Sequence, residues 1–408
     1  MQDKKQSLVP ELRFPGFEGE WPIQPLSNFL HEHKTKSDGK CRVHSVSVSK
    51  GVVDQVEYLG RSFAASDTSK YNLAKPNDII YTKSPTGSFP YGIVKMNKKP
   101  YNVIVSPLYG VYSPTNKYIG YILDSYFESP ERTNTYLSTL IQKGAKNTIQ
   151  ITNSTFISKN VCFPTDEAEQ QKIAECLSSV DDLIQAEADQ LQALKDHKKG
   201  LMQQLFPQEG ETTPKLRFPG FKGEWEEKKL GEIAEVNPKS DSLPEQFIYI
   251  DLESVESGVL LKLNQIDKIN APSRAQRLLK NGDILFQMVR PYQKNNYHFF
   301  KKDNKEYVAS TGYAQIRYSD CSEYLYQFLH TDTFVEKVIN KCVGGNYPAI
   351  NSTDLSNMTV FFPSLPEQQK IASCLSSLDE GIAAQQEKVE ALKEHKKGLM
   401  QKLFPNLQ

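Results

Sequence analysis

The chain is written twice. Leu12 to Trp21 returns as Leu216 to Trp225, offset by 204 residues and differing at one position in ten, Glu18 against Lys222. A second stretch closes each copy: residues 169–207 align with 367–405 at 26 identities in 39 positions. Between these bookends, residues 22–162 and 226–361 share length and rhythm but few letters. A solenoid repeats every 20–50 residues and varies in its loops. A 408-residue chain that doubles one large unit instead predicts two or three domains in a pseudo-twofold arrangement, a fixed frame carrying two variable inserts.

The frame reads as two long helices. From Glu169-Gln170-Gln171-Lys172-Ile173-Ala174 and its copy at Glu367 to Ala372, apolar residues fall on a 4–3 spacing, the signature of a coiled coil. One seam is Leu177, Ile184, Leu191, Lys198 and Leu205 with Ile173, Val180, Glu187, Leu194 and Leu201. The other is Leu375, Ile382, Val389, Lys396 and Leu403 with Ile371, Leu378, Gln385, Leu392 and Leu399. Asp166 with Glu169, and Ser364 with Glu367, fit capping boxes; Pro366 suits a first turn. Pro207 and Pro405 stop the helices, with Gly200 and Gly398 as alternative ends. A lone helix of that length would leave its apolar stripe in water, so antiparallel pairing is expected; packing of each helix on its own insert alone stays open. The polar seam residues Glu187, Gln385, Lys198 and Lys396 weaken packing but can fix register.

Both inserts alternate β-branched and aromatic runs with turn residues, as in Asp78-Ile79-Ile80-Tyr81 and Asp283-Ile284-Leu285-Phe286. Each has one helical stretch near its end, Tyr118 to Gln142 and Ser322 to Lys341. The fold class is therefore α+β, two strand-rich domains joined by two long helices. The expected boundaries are 1–164, 165–207, 208–363 and 364–408. Charge excludes little: the net is zero, yet residues 1–164 carry 20 basic against 13 acidic side chains while 208–363 carry 19 against 21. The six cysteines have no CxxC spacing and no histidine at ligand spacing, which fits free thiols in a reducing cytosol and no metal. No run has the length of a membrane span, and Met1 to Gln6 lead into no apolar leader. There is no GxxxxGK[ST] phosphate loop, no Asn-Pro-Pro-Tyr-type tetrad and no nuclease carboxylate–lysine cluster, so no catalytic residue is expected. His197 and His395 sit in lysine-rich helix ends, as solvated or partner-facing groups.

The loops after the Asp-Ile strands are the candidate binding elements. Lys83, Ser84, Thr86, Ser88 and Tyr91 belong to the first copy, and Gln287, Arg290, Tyr292, Lys294 and Asn295 to the second. Glycine-flanked loops further on add Lys146 and Asn147, and Asn346 and Tyr347. These are the side-chain types that read base edges and grip phosphates, although each also suits an ordinary solvated loop. Arg290 is the strongest of them, because its fork matches the paired acceptors of guanine.

The duplicated frame, the two divergent inserts and Pro366-Glu-Gln-Gln-Lys-Ile-Ala372 together resemble the specificity subunit of a Type I restriction–modification enzyme, over essentially the whole chain. The first copy departs in having Ala168 where the second has Pro366, and one extra residue after Phe163-Pro164. The resemblance implies a non-catalytic, cytoplasmic reader of double-stranded DNA. Each insert would recognise one half of a bipartite, asymmetric site. The helices would set the spacing and dock two methyltransferase subunits, with restriction subunits joining through the complex. No cofactor would be bound here: S-adenosylmethionine, ATP and magnesium would belong to the partners. Two other classes remain: a coiled-coil scaffold whose inserts bind proteins, and a single-chain methyltransferase, which the missing motifs argue against.

Overall fold

A computed structural model of the chain describes residues 8–143, 149–240 and 242–405. It contains two compact units, Met1–Ala188 with Lys388–Gln408, and Asp189–Glu387, so each unit holds one insert and a segment of each long helix.

In unit 1 the central sheet runs in the order Leu30–Glu32, Gly110–Pro114, Ile79–Tyr81, Val94–Met96, antiparallel throughout. Strand alternation explains why Ile79-Ile80-Tyr81 is apolar at every position. Ile79 and Tyr81 enter the main core with the helices, whereas Ile80 turns to a smaller core of Val52, Ala74, Val103, Val105 and Val111. That second core lies under the ladders Asn72–Ala74 with Val103–Val105 and His44–Ser47 with Gly51–Asp54. Ile23–Pro25 pairs with Asn160–Cys162 and so closes the insert where the first long helix leaves it.

Unit 2 repeats the plan with other letters. Its central sheet is ordered Glu235–Val236, Tyr313–Arg317, Ile284–Gln287, Tyr297–His298, the same connectivity as in unit 1. Ile284 and Phe286 face the helix-bearing core and Leu285 the other side. Here the second sheet has four strands, Asn264–Asp267, Gln246–Ile250, Tyr307–Ser310 and Ala275–Leu278, with one parallel pair. Glu226–Lys229 with Thr359–Phe362 closes the insert.

The single helical stretch expected in each insert is two helices. Lys117–Tyr126 ends before Ser129, whose hydroxyl caps Pro130–Ser138 with Pro130 in its first turn. Ser322–Leu329 likewise gives way to Asp332–Lys341 behind the Thr331 cap. A cap and a proline inside an apolar periodicity break the helix without breaking the pattern. Gln142 lies beyond both, in a two-residue strand.

The long helices span Glu167–Leu205 and Leu365–Leu403 and run through Gly200 and Gly398. All twenty seam positions are buried or half-buried. The first capping box is only half formed and the second is absent, the Glu367 amide donating to the Ser364 carbonyl rather than to its hydroxyl. Asp166 Oδ1 accepts from the Ala168 and Glu169 amides, at 2.8 and 3.1 Å, but the Glu169 carboxylate does not return to the cap. It takes Arg13 instead, Nε to Oε1 at 2.7 Å and NH2 to Oε2 at 3.0 Å, together with Trp21 Nε1 at 3.2 Å. Glu367 does the same with Arg217 at 2.8 and 2.6 Å. The two repeated motifs are therefore a clasp: a forked guanidinium on a buried carboxylate outcompetes one amide. The same segments reach helix ends, where Leu12 N donates to Lys402 O and Leu216 N to Gln204 O, each satisfying a terminal carbonyl.

Within unit 1, Lys396 meets Asp181 at 2.6 Å and Lys388 meets Glu187 at 2.7 Å, while Ile173 and Leu177 share a core with Met400 and Leu403. Within unit 2, Lys198 meets Asp379 at 2.6 Å, and Leu205 shares a core with Ile371 and Leu375. No helix among the described residues is long and apolar enough to cross a membrane.

Candidate nucleic-acid interface

Each candidate loop leaves the central sheet from a strand that a buried aspartate anchors. Asp78 Oδ2 accepts from the Lys75 amide and lies 2.8 Å from His33 Nε2, while Oδ1 takes the Ser113 hydroxyl. Asp283 makes the same turn with the Lys280 amide but is held by Arg317, Nε at 2.8 Å and NH2 at 2.7 Å, and by Gln315. The start of each loop-bearing strand is thus fixed by one device with two different side chains, His33 and Arg317.

In unit 1 the loop tip is Lys83, Ser84, Thr86 and Ser88, all exposed, with Tyr91 half-buried behind them. Thr86 and Phe89 exchange backbone hydrogen bonds, Phe89 is buried, and Asn134 Nδ2 holds Ser88 O. Gly92 closes the loop at φ +101°, where a Cβ would stand 2.1 Å from Thr82 O. Only glycine fits there. Lys146 and Asn147 lie outside the described residues. Elsewhere in the first insert the Arg61 guanidinium lies 4.6 Å over the exposed Phe63 ring, a pair not among the sequence candidates. An Arg-x-Phe pair in a glycine- and serine-rich segment was its only signal.

In unit 2 the candidates separate into two sets. Gln287 is buried and spent internally, its amide nitrogen on Gln293 and its carbonyl oxygen on the Asn295 amide. Asn295 accepts from Ser257 N, and Lys294 binds His330 O and Asp332. These three hold the loop in shape. The side chains of Arg290, Tyr292, Asn346 and Tyr347 make no such hydrogen bonds among the described residues: Tyr292, Asn346 and Tyr347 are exposed, and the Arg290 guanidinium lies 4.2 Å over the Tyr347 ring. The Val289–Ala349 bridge brings the two loops together across 60 residues of sequence (349 − 289), and the Val343–Ala349 bridge closes the second loop on itself.

Two equal platforms carrying unlike polar loops suit recognition of two unlike pieces of one ligand. A family model described as the Type I restriction modification DNA specificity domain matches residues 49–196 and again 222–394, once per copy. The chain belongs to this family. Its members include the MjaVIII specificity subunit of Methanocaldococcus jannaschii, 25% identical over 288 residues that cover 61% of this chain and 62% of that protein. The HindI specificity subunit of Haemophilus influenzae is 26% identical over 166 residues, 39% of this chain and 36% of that protein. The chain therefore matches less than two thirds of the length of either relative.

The specificity-family fold extends over the whole chain. The S subunit of a Type I restriction–modification system from M. genitalium aligns with a TM-score of 0.59 at 15% identity, covering 98% of this chain and 100% of that one. A chain from a structure on the assembly and conformational transition of the type I R-M system gives 0.52 at 18% identity, covering 97% and 99%. At such identities the likeness speaks for the fold alone. The family is one of specificity subunits, which are not themselves catalytic.

Proposed function

We infer that this chain is the reader of a Type I restriction–modification complex, with each insert recognising one half of a bipartite, asymmetric sequence in double-stranded DNA. The observation that carries the reading is the contrast within each copy. The order of the central sheet and the clasp are the same in both units, whereas loop chemistry is not. Equal scaffolds with unequal tips are what two readers of two different half-sites require. A scaffold with protein-binding inserts gains no comparable support from the family match.

The long helices are proposed to pair as an antiparallel coiled coil about a pseudo-twofold axis and to set the distance between half-sites. In unit 1, Asp181 meets Lys396 and Glu187 meets Lys388, so rising numbers on one helix face falling numbers on the other. The seam lysines, each on an aspartate of the other helix, suit register-setting positions. The same helices are proposed to dock two methyltransferase subunits, with restriction subunits recruited through the complex, in the cytoplasm. S-adenosylmethionine, ATP and magnesium are assigned to those partners, and this chain to none of their chemistry.

Exchange of residues 226–361 for the equivalent insert of another family member tests the reading. The hybrid and the parent are each expressed with the methyltransferase subunit, and methylated adenines are mapped across the host genome. One half of the methylated motif is expected to change completely while the other stays. A change in both halves, or in neither, overturns the two-reader assignment.

A further inference from the structure

In unit 2 one candidate side chain is prepared rather than merely exposed. Arg290 sits at φ 54° and ψ 55°, left-handed backbone that a side-chain-bearing residue adopts only when its surroundings impose it. Those surroundings are visible. Arg290 N donates to Pro348 O at 2.8 Å, Val289 and Val343 both bridge to Ala349, and Ile350 N donates to Met288 O. Pro291 is buried directly behind it, and the turn ends at Lys294, also left-handed, which is pinned to Asp332 and His330 O.

The side chain lies against the second loop. Its guanidinium stacks on Tyr347, and Nε is buried with no hydrogen-bond partner. The terminal amines have no carboxylate or carbonyl partner among the described residues and are not buried. Arg277 shares the buried, unpartnered Nε, and among the described residues only Arg290 adds to it an aromatic ring under the guanidinium. Arg13, Arg217 and Arg317 are each consumed by a carboxylate. A ring under the guanidinium limits the orientations of the fork while leaving both outer donors available, which suits the two adjacent acceptors O6 and N7 on guanine's major-groove edge. A phosphate contact needs charge but no such fixed plane.

We propose that Arg290 reads a guanine in the half-site recognised by unit 2, and that Tyr347 is the positioning residue that holds its guanidinium in the reading plane. This rests on the proposed DNA-reading function and adds which base and which residues. The equivalent loop of the first insert, residues 81–91, has no arginine.

The test uses the full chain in complex with its methyltransferase subunit. Methylome mapping of the wild type defines the motif, and binding is then measured on duplexes of that motif with each base replaced in turn. One guanine in the half-site assigned to residues 226–361 is expected to lose its preference in Arg290→Ala and in Arg290→Lys, by roughly ten- to hundredfold in discrimination. The lysine variant keeps its salt dependence. Replacing that guanine by 7-deazaguanine, which lacks the N7 acceptor, should weaken wild-type binding but not that of Arg290→Ala. Tyr347→Phe keeps the ring and should keep the preference. Tyr347→Ala should lose part of it, and nothing more once Arg290 is gone. Unchanged melting temperatures exclude misfolding as the cause. Uniform weakening on every duplex would make Arg290 a phosphate contact, and an unchanged preference would remove it from the interface; either overturns the proposal. A wild-type complex that selects no sequence would instead overturn the DNA-reading function beneath it.

Discussion

The two inserts agree at their base and part company at their tips. At the base, Arg13 on Glu169 and Arg217 on Glu367 are the same forked pair, and Leu12 and Leu216 cap the same carbonyl position of two helices. One layer further in, the device persists but the chemistry changes: Asp78 is held by His33, Asp283 by Arg317. At the tips the sequences part, with serines and threonines in one copy and an arginine over a tyrosine ring in the other. The gradient shows where sequence is free to diverge. A strand's backbone pattern fixes the position of a loop whatever the loop contains, whereas a buried ion pair tolerates no unilateral change.

The strongest way to break this comparison is to change what both copies share. Ile184–Gln190 and Ile382–Lys388 are equivalent heptads between the clasped ends; removing both keeps the seam register and removes Glu187 together with its partner Lys388. If the helices measure DNA, the coil shortens by about 10 Å, roughly three base pairs. Both half-sites should persist with a shorter spacer, or binding should fail where the duplex cannot bend to fit. Removing one heptad alone should be worse, because seven residues of seam lose their counterpart. Methylome mapping decides, and an unchanged spacer at full activity would mean that the helices set no distance.

A smaller effect separates the two clasps. Glu169 serves both Arg13 and Trp21, whereas Trp225 Nε1 has no acceptor among the described residues and Glu367 serves Arg217. Glu169→Ala should cost about 3 kcal/mol and Glu367→Ala about 2 kcal/mol, since the first leaves an indole donor as well as a guanidinium unpaired. Denaturant unfolding of the two variants measures the difference. Equal losses would show that the indole bond adds nothing.

Much of this architecture is legible in the letters, because a repeat reports constraint without any relative to compare. The long helices follow from a 4–3 spacing that a strand cannot satisfy. The α+β class follows from short β-branched runs between turn residues. What stays hidden is pairing across distance. Glu169 and Glu367 look like capping-box glutamates because the box is a local pattern, and only the folded chain brings Arg13 and Arg217 to them. The break before Pro130 was written in Ser129-Pro130, yet apolar periodicity continues through it and masks the stop. Among the loop candidates, composition cannot separate Gln287, Lys294 and Asn295, which tie the loop to itself, from Arg290 and Tyr347, which do not; residue type is the same whether a polar group is spent or free.

The smallest effect tests whether the units respond differently to acid. In unit 2, His298 and His330 flank Tyr326: the His298 ring stacks on it at 5.2 Å, and His330 Nδ1 donates to its carbonyl at 2.7 Å. Burial holds both imidazoles down to about 4; around His330, Lys198 and Lys294 add to this against the pull of Asp379, while Glu323 and Asp283 oppose it at His298. A histidine whose pKa is lower folded than unfolded binds more protons in the unfolded chain between those values. Its contribution is therefore fully present above about 6.5 and is lost as pH falls towards 4. Each should remove about 1–2 kcal/mol over that interval, after allowance for partial solvent screening. Hydrogen exchange at Ile284–Gln287 reads unit 2, with the equivalent strand Ile79–Tyr81 of unit 1 as an internal reference. Acidification from 7 to 4.5 should open the first strand by more than His298→Gln/His330→Gln does under the same change. If the double variant keeps the full acid sensitivity of the wild type, other groups carry it and the buried imidazoles do not distinguish the two units.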